Sequence, residues 1–304
     1  MAAAEEYDEN IGSWPRWRAE ARRNLSSLTL TMSSGVPRPD NRGNAELRPL
    51  SISYDGLARV DGSARFAFGD TSALASLSGP IEVRLAVEQP SKATFEVSVR
   101  PLSNVPATEA KALAATIRAS LEPSLILTKN PRTLVQLVVQ SLSWPRSATW
   151  KEGLSAAAIN ASSLAFLNAS SVPMRGVVAA VPVGRLSDGT LILDPSDEEL
   201  HSMSGGGAFA FVFADGVGLG GSNSDCVWTS WKSTAGKYDE DELLKARELA
   251  RMGAEAVYDA MRKSVENKSG STTQISPKRE EQGVKTDAAE GKEGHETDED
   301  KMEI

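Results

Sequence analysis

Residues 61–84 read DGSARFAFGDTSALASLSGPIEVR. Residues 63–68 alternate small or polar with apolar side chains, Gly69-Asp70 supplies a turn, and residues 71–77 alternate again up to Gly79-Pro80. A period of two on both sides of a glycine turn predicts a β-hairpin with one buried face, ended by the Gly-Pro pair.

Working outward, residues 48–100 read as a run of strands. Ser103-Asn104-Val105-Pro106 looks like a helix start, and residues 107–121 place Leu113, Ile117 and Leu121 on one helical face. Residues 134–139 read as a buried strand. Residues 151–169 are dense in Ala, Ser and Asn, side chains small enough for a helix to lie close against a sheet. Residues 177–183 form a further strand, and Asp188-Gly189 turns the chain into 191–193. Residues 209–213 and 227–231 are predicted strands. Residues 238–263 form an amphipathic helix, with Leu243, Leu244, Ala246, Leu249, Ala250, Ala254 and Val257 at helical spacing. The blocks run β, α, β, α, which predicts an α+β fold with mixed sheet packed against helices.

The 304 residues are 40% hydrophobic, ordinary for a globular chain. One cysteine, Cys226, excludes an internal disulfide framework and a multi-cysteine zinc site. The two histidines, His201 and His295, lie too far apart in sequence for a His-rich metal cluster, and no cofactor is expected. No apolar run reaches the ~18 residues of a membrane span, and the first residues are too charged for a signal peptide. A reducing compartment, nucleus or cytoplasm, is expected.

The net charge of −8 argues against a self-sufficient nucleic-acid binder. From Ser264 onward six Lys/Arg stand against eleven Asp/Glu, a net of −5, leaving −3 for everything before. Residues 264–304 lack apolar periodicity and are expected to form a disordered acidic tail. Residues 1–35 read as a variable extension, although Trp14-Pro15-Arg16-Trp17-Arg18 also suits a docking motif.

Candidate chemistry is sparse. Gly216-x-Gly218-x-x-Gly221 matches a dinucleotide pattern, but a strand follows it where a helix should, so it reads as a strand connection. Ser204 to Gly207 is a second glycine run that enters a strand. Asp194, Asp197, Glu198 and Glu199 could ligate a divalent metal and serve a stand-alone hydrolase or nuclease. The plainer reading is that Ser196 caps a short helix whose first turn carries acids. Asp225, Cys226 and the histidines offer no nucleophile–base pair.

The hairpin text, GSARFxFGxTxxLAxxxGPxE, is similar to the opening sheet of the ribonuclease PH family. Arg38-Pro39-Asp40-Asn41-Arg42 and Glu46-Leu47-Arg48-Pro49 resemble that family's leader, RxDGRxxxExRP. EQPSKATFEVSVRPLSNVP (88–106), NPRTLVQLVVQSL (130–142) and SVPMRGVVAAVPVGRL (171–186) keep the family's order and spacing. The resemblance covers residues 36–263 and implies a ribonuclease PH fold of two similar βαβα halves in one domain.

It also implies where a site would lie. Active members hold inorganic phosphate with the arginine of a G-T-R-T loop. The matching segment here is Gly153-Leu154-Ser155-Ala156, so that arginine is Ser155. A neutral hydroxyl cannot give phosphate bidentate, charge-assisted bonds. An RNA-gripping arginine corresponds to Glu109, and two metal-side acids correspond to Leu200 and Gly206. All four positions are changed, which implies no catalytic residue and no metal.

The resemblance then implies a non-catalytic ring subunit of the RNA exosome, serving 3′-to-5′ RNA processing, ribosomal RNA maturation and surveillance in nucleus, nucleolus and cytoplasm. Implied partners are other ribonuclease PH-like ring subunits (ribosomal RNA-processing protein 43 as neighbour), RNA-binding cap subunits, a separate hydrolytic nuclease, and RNA in a channel, with no membrane. Arg84 and Lys92, after Gly79-Pro80, are the expected RNA contacts.

Overall fold

The computed structural model describes residues 38–103, 105–143, 150–214, 224–233 and 239–272. The patch at residues 14–18, the loop at 216–221 and residues 273–304 lie outside them. The chain divides into a compact unit ending at Val265 and a second unit beginning at Glu266.

Five strands, β1 (Leu50–Ser53), β2 (Gly62–Phe68), β3 (Thr71–Glu82), β4 (Thr94–Arg100) and β5 (Thr133–Ser141), make the first sheet in the order β1-β2-β3-β5-β4. Helix α1 (Thr108–Leu121) connects β4 to β5, which pair in parallel, while the other pairs are antiparallel. Helix α2 (Glu152–Ala169) leads to a second sheet. Its strands β6 (Val177–Leu186), β7 (Leu191–Leu193), β8 (Met203–Phe213) and β9 (Ser224–Ser233) are ordered β7-β6-β8-β9. Helix α3 (Glu240–Thr272) follows.

The first half thus reads β-α-β-α. In the second, the one helical turn between strands among the described residues is the 3₁₀ turn Glu199–Ser202, and the sheet is antiparallel throughout its described pairs. The sequence resemblance implied a closer duplication. A parallel pair needs a long crossover, and the short stretch between β7 and β8 supports only a turn.

Helix α2 is the hub. It lies against β2 and β3 of one sheet and β6 and β8 of the other. Every residue from Ala156 to Phe166 is buried. A helix enclosed on all sides cannot be amphipathic, which explains its run of Ala, Ser and Asn. Ile159, Leu164 and Phe166 are fully or almost fully buried, each worth about 1.5–3 kcal/mol. Close approach is enforced at Gly62, where a Cβ would lie 2.5 Å from the Ala165 carbonyl oxygen. The buried polar side chains of α2 are satisfied. Asn160 donates to the Ala180 carbonyl at 2.8 Å and accepts the Ala180 amide at 2.7 Å, and Ser163 donates to the Val178 carbonyl.

Several sequence expectations change. The alternation holds on β3 but not on β2, where every residue except Arg65 is buried: Gly62, Ala64, Phe66 and Phe68 share the side that meets α2, and Ser63 and Ala67 on the opposite side are buried as well. Gly79-Pro80 does not end β3, which continues through a bulge to Glu82 by pairing Ile81 with Leu134 and Glu82 with Thr133. Strand β8 begins at Met203 and absorbs the glycine run. Helix α1 starts after Pro106, without a side-chain cap at Ala107. Helix α3 passes Lys263, and Ser264 donates to the Tyr54 hydroxyl at 2.7 Å. That bond holds a position the sequence assigned to the tail.

Asn160→Ala should leave the buried Ala180 amide and carbonyl without partners, at about 1–3 kcal/mol for each group. Urea unfolding should show a loss of several kcal/mol. A midpoint equal to wild type would mean that the bridge between α2 and β6 is not needed.

Candidate functional site

The acids proposed as metal ligands are already engaged. Asp194 sits at the end of β7 in the left-handed region, φ 48°. Its Oδ2 accepts the Arg48 amide at 2.9 Å and Arg48 Nε at 3.0 Å, and its Oδ1 accepts Arg48 Nη2 at 2.7 Å. Glu199 receives Arg38 in the same two-pronged way, Nε to Oε1 at 2.6 Å and Nη2 to Oε2 at 2.9 Å. Arg38 also donates to the carbonyls of Gly43, Leu193 and Asp194. The leader arginines therefore strap residues 38–48 to the end of β7.

Planar guanidinium forks satisfy both oxygens of each carboxylate, leaving little for a metal. Among the described residues no three His, Cys, Asp or Glu side chains form a metal-holding group. Ser196 does not cap a helix. The segment is the 3₁₀ turn Glu199–Ser202, and Glu199 reaches back to accept the Ser196 amide at 2.7 Å. Burial alone would raise the Glu199 carboxyl, but Arg38 and the Ser196 amide outweigh it and hold it below the usual glutamate range. Asp197 is half-buried and Glu198 exposed.

The start of α2 brings together Ser155, Glu109 and Gly206, three of the four positions that the resemblance singled out. Ser155 donates back to the Lys151 carbonyl at 3.0 Å, within its own helix. Lys151 Nζ pairs at 2.6 Å with Glu109, on the first turn of α1, whose side chain is 76% exposed. Glu152 is only 5% exposed. Its Oε2 accepts the Lys151 amide at 2.8 Å, and its Oε1 accepts Lys232 of β9 at 3.0 Å. Gly206 lies under Trp150: a Cβ there would meet the Val183 carbonyl at 2.5 Å and the indole at 2.8 Å, with φ at 147°. Leu200 is half-buried on the 3₁₀ turn, its carbonyl accepting the Met203 amide.

A helix start attracts anions through its free amides and dipole. Here a carboxylate of the chain itself, Glu152, stands there, and both nearby lysines are paired with carboxylates. Sequence reasoning missed Trp150, Lys151, Glu152 and Lys232. The first three flank the Gly153 segment and could have been noticed there, but nothing local points to Lys232.

The two expected RNA contacts differ. Arg84 is exposed and has no ion-pair partner among the described residues, and it precedes a 3₁₀ turn, Leu85–Val87, whose Leu85 is 89% exposed. Lys92 instead bonds Glu122 at the end of α1 at 2.9 Å and holds that carboxyl below its usual range.

Residues 46–171 match the first domain of the 3′ exoribonuclease family, ribonuclease PH type. The chain is 31% identical over 239 residues to the exosome complex component Rrp41 of Archaeoglobus fulgidus, covering 75% of this chain and 86% of that one. The chain belongs to this family. It is 33% identical over 166 residues to the exosome complex exonuclease RRP46 homolog of Oryza sativa subsp. japonica, covering 55% and 67% of the two chains. The crystal structure of rice Rrp46 superposes with a TM-score of 0.64 at 28% identity, covering 75% of this chain and all of that one. Membership gives the first-half strands and α2 their family counterparts, and the ribonuclease PH fold expected from the leader and hairpin motifs is the fold observed.

Two outcomes follow from the geometry. Glu199→Gln should cost about 3 kcal/mol at neutral pH, since it strands the buried Arg38. A depressed folded-state pKa stabilises the fold above the unfolded value of about 4.3, and the gain is lost as pH falls through the lower folded value. Between pH 6 and pH 3 the wild type should therefore lose more stability than the variant; parallel curves from denaturant titrations would refute the assignment. Gly206→Asp should lower stability by about 1–3 kcal/mol through backbone strain alone, with more from the clash with Trp150. Differential scanning calorimetry showing an unchanged melting temperature would mean that position 206 has room for an acid.

Proposed function

We propose that this chain is a non-catalytic ring subunit of an RNA exosome. In this reading a ribonuclease PH-like domain, residues 36–263 with the remainder of α3, is kept for its surfaces. It pairs with other ribonuclease PH-like subunits, ribosomal RNA-processing protein 43 among them, around a channel. RNA-binding cap subunits and a separate hydrolytic nuclease complete the assembly, in nucleus, nucleolus and cytoplasm. Arg84 is the better placed of the two channel contacts, with Lys92 adding charge while it holds Glu122.

The observation that carries this reading is the start of α2. Ser155 cannot bind phosphate as an arginine would, Glu152 occupies the anion-attracting end of the helix, and Glu109 ties up Lys151. Opposed charge at a phosphate position is more damaging than simple loss, because like charges repel where stabilisation is needed. The names of the relatives, exosome components in rice and Archaeoglobus fulgidus, support the same assignment. The stand-alone metal hydrolase loses its basis once Asp194 and Glu199 are committed to Arg48 and Arg38.

Two measurements test the reading. Incubated with a short RNA, Mg²⁺ and phosphate, the purified protein should release no nucleoside diphosphates, since each missing oriented group costs about 10²–10³-fold in rate. Co-expressed with ribonuclease PH-like sister subunits, it should form a stoichiometric complex by size-exclusion chromatography with light scattering. Phosphate-dependent release, or a monomer that ignores every sister subunit, would overturn it.

A further inference from the structure

At the end of the first sheet where β4 and β5 begin, three stretches of chain meet. Ala93 donates its amide to the Leu127 carbonyl at 2.9 Å, Arg132 to Gln89 at 3.1 Å, Arg175 to Ser124 at 2.7 Å, and Ile126 to Pro173 at 2.9 Å. These bonds lay residues 84–93, 122–132 and 173–175 side by side in one rim. The rim carries five cations, Arg84, Lys92, Lys129, Arg132 and Arg175, and Arg118 of α1 reaches it through Glu122. Three carboxylates accompany them. Glu122 is taken by Lys92 and Arg118, Glu88 faces Arg132 at 3.4 Å, and Glu82 is exposed at the end of β3. Arg84, Lys129 and Arg175 are exposed and have no ion-pair partner among the described residues. A local positive excess of this size stands against the chain's net charge of −8.

Arg132 is the most telling member. Its side chain is 70% exposed, yet its backbone is held at φ 60°. A non-glycine residue in the left-handed region costs about 1 kcal/mol or more and persists where its surroundings enforce it. Here the hydrogen bond from the Arg132 amide to the Gln89 carbonyl does so, and the guanidinium lies beside Glu88. The rim is separate from the start of α2, which lies at the opposite ends of β4 and β5, roughly 20–25 Å away by strand rise.

We infer that this rim binds the phosphate backbone of single-stranded RNA, with Lys129, Arg132 and Arg175 as contacts additional to Arg84. Guanidinium forks match phosphate oxygens in pairs, and a row of cations with no built pocket reads charge rather than base identity. The choice of RNA over an acidic protein rests on the ring-subunit reading above.

The test compares wild type, the rim variant Lys129→Ala/Arg132→Ala/Arg175→Ala, and a control that removes equal charge from α3, Lys245→Ala/Arg247→Ala/Lys263→Ala. Each is assayed in complex with its ring partners. Fluorescence anisotropy follows a labelled oligouridylate and, in parallel, polyglutamate across a KCl series. Loss of three phosphate contacts should reduce the slope of log K against log[KCl] by about 2 for the oligouridylate, while the control keeps the wild-type slope. Slopes equal for rim variant and wild type overturn the inference, as does a loss confined to polyglutamate. A rim variant that no longer joins a complex the wild type joins makes the rim a protein contact and also overturns it. If the wild type itself fails to assemble, the ring reading falls, and the same slopes measured on the free chain still decide whether the rim binds RNA.

Discussion

The structure depends on burying one helix on every side. Helix α2 has two sheets to serve, and so its outward positions are as enclosed as its inward ones. Size is the first constraint: Ala, Ser and Asn leave room for strands on both flanks, and β2 answers with Gly62 where the helix backbone comes closest. Polarity is the second. A buried amide or hydroxyl must be paired, and Asn160 and Ser163 pair with the backbone of β6, converting a packing contact into a specific register between helix and second sheet.

Fixing α2 also fixes its first turn, the place where the resemblance implies a phosphate site in active members. The turn is locked by Trp150 over Gly206, by Glu152 against Lys232, and by Lys151 against Glu109. Each joins α2 to a different element, respectively β8, β9 and α1. The same atoms that would need to be free for a phosphate ion are thus part of the joint between the two sheets. In this chain the charged groups of the turn are engaged in ion pairs and hydrogen bonds that join elements of the fold.

Local pattern made much of the fold legible. The alternation at 63–77, the small-residue helix at 151–169 and the amphipathic helix near the end all correspond to observed elements. What escaped was set by partners outside the local pattern. The second buried row of β2, Ser63 and Ala67, lies on the side away from α2, where Ser63 donates to the Asp55 carbonyl, a contact the alternation does not show. Strand β3 outruns Gly79-Pro80 because β5 offers Leu134 and Thr133 for pairing. At the site, Ser155 and Glu109 stood out by comparison with the family motifs, whereas Lys232 belongs to a strand with no motif of its own. The acids at Asp194 and Glu199 looked available because their arginines lie 146 and 161 residues away.

Those two distances have a consequence for how the protein is made. The leader arginines leave the ribosome long before the carboxylates they must meet. At about 5–20 residues per second, Arg48 waits on the order of ten to thirty seconds for Asp194, and Arg38 somewhat longer for Glu199. The first sheet can pair its strands during that interval, but its leading edge has no anchor. The strap closes only when the end of β7 has emerged, so residues 38–48, made before the first sheet, are fastened well after that sheet can pair. Any factor that shields a nascent leader would have its window there, between synthesis of the first sheet and arrival of the second.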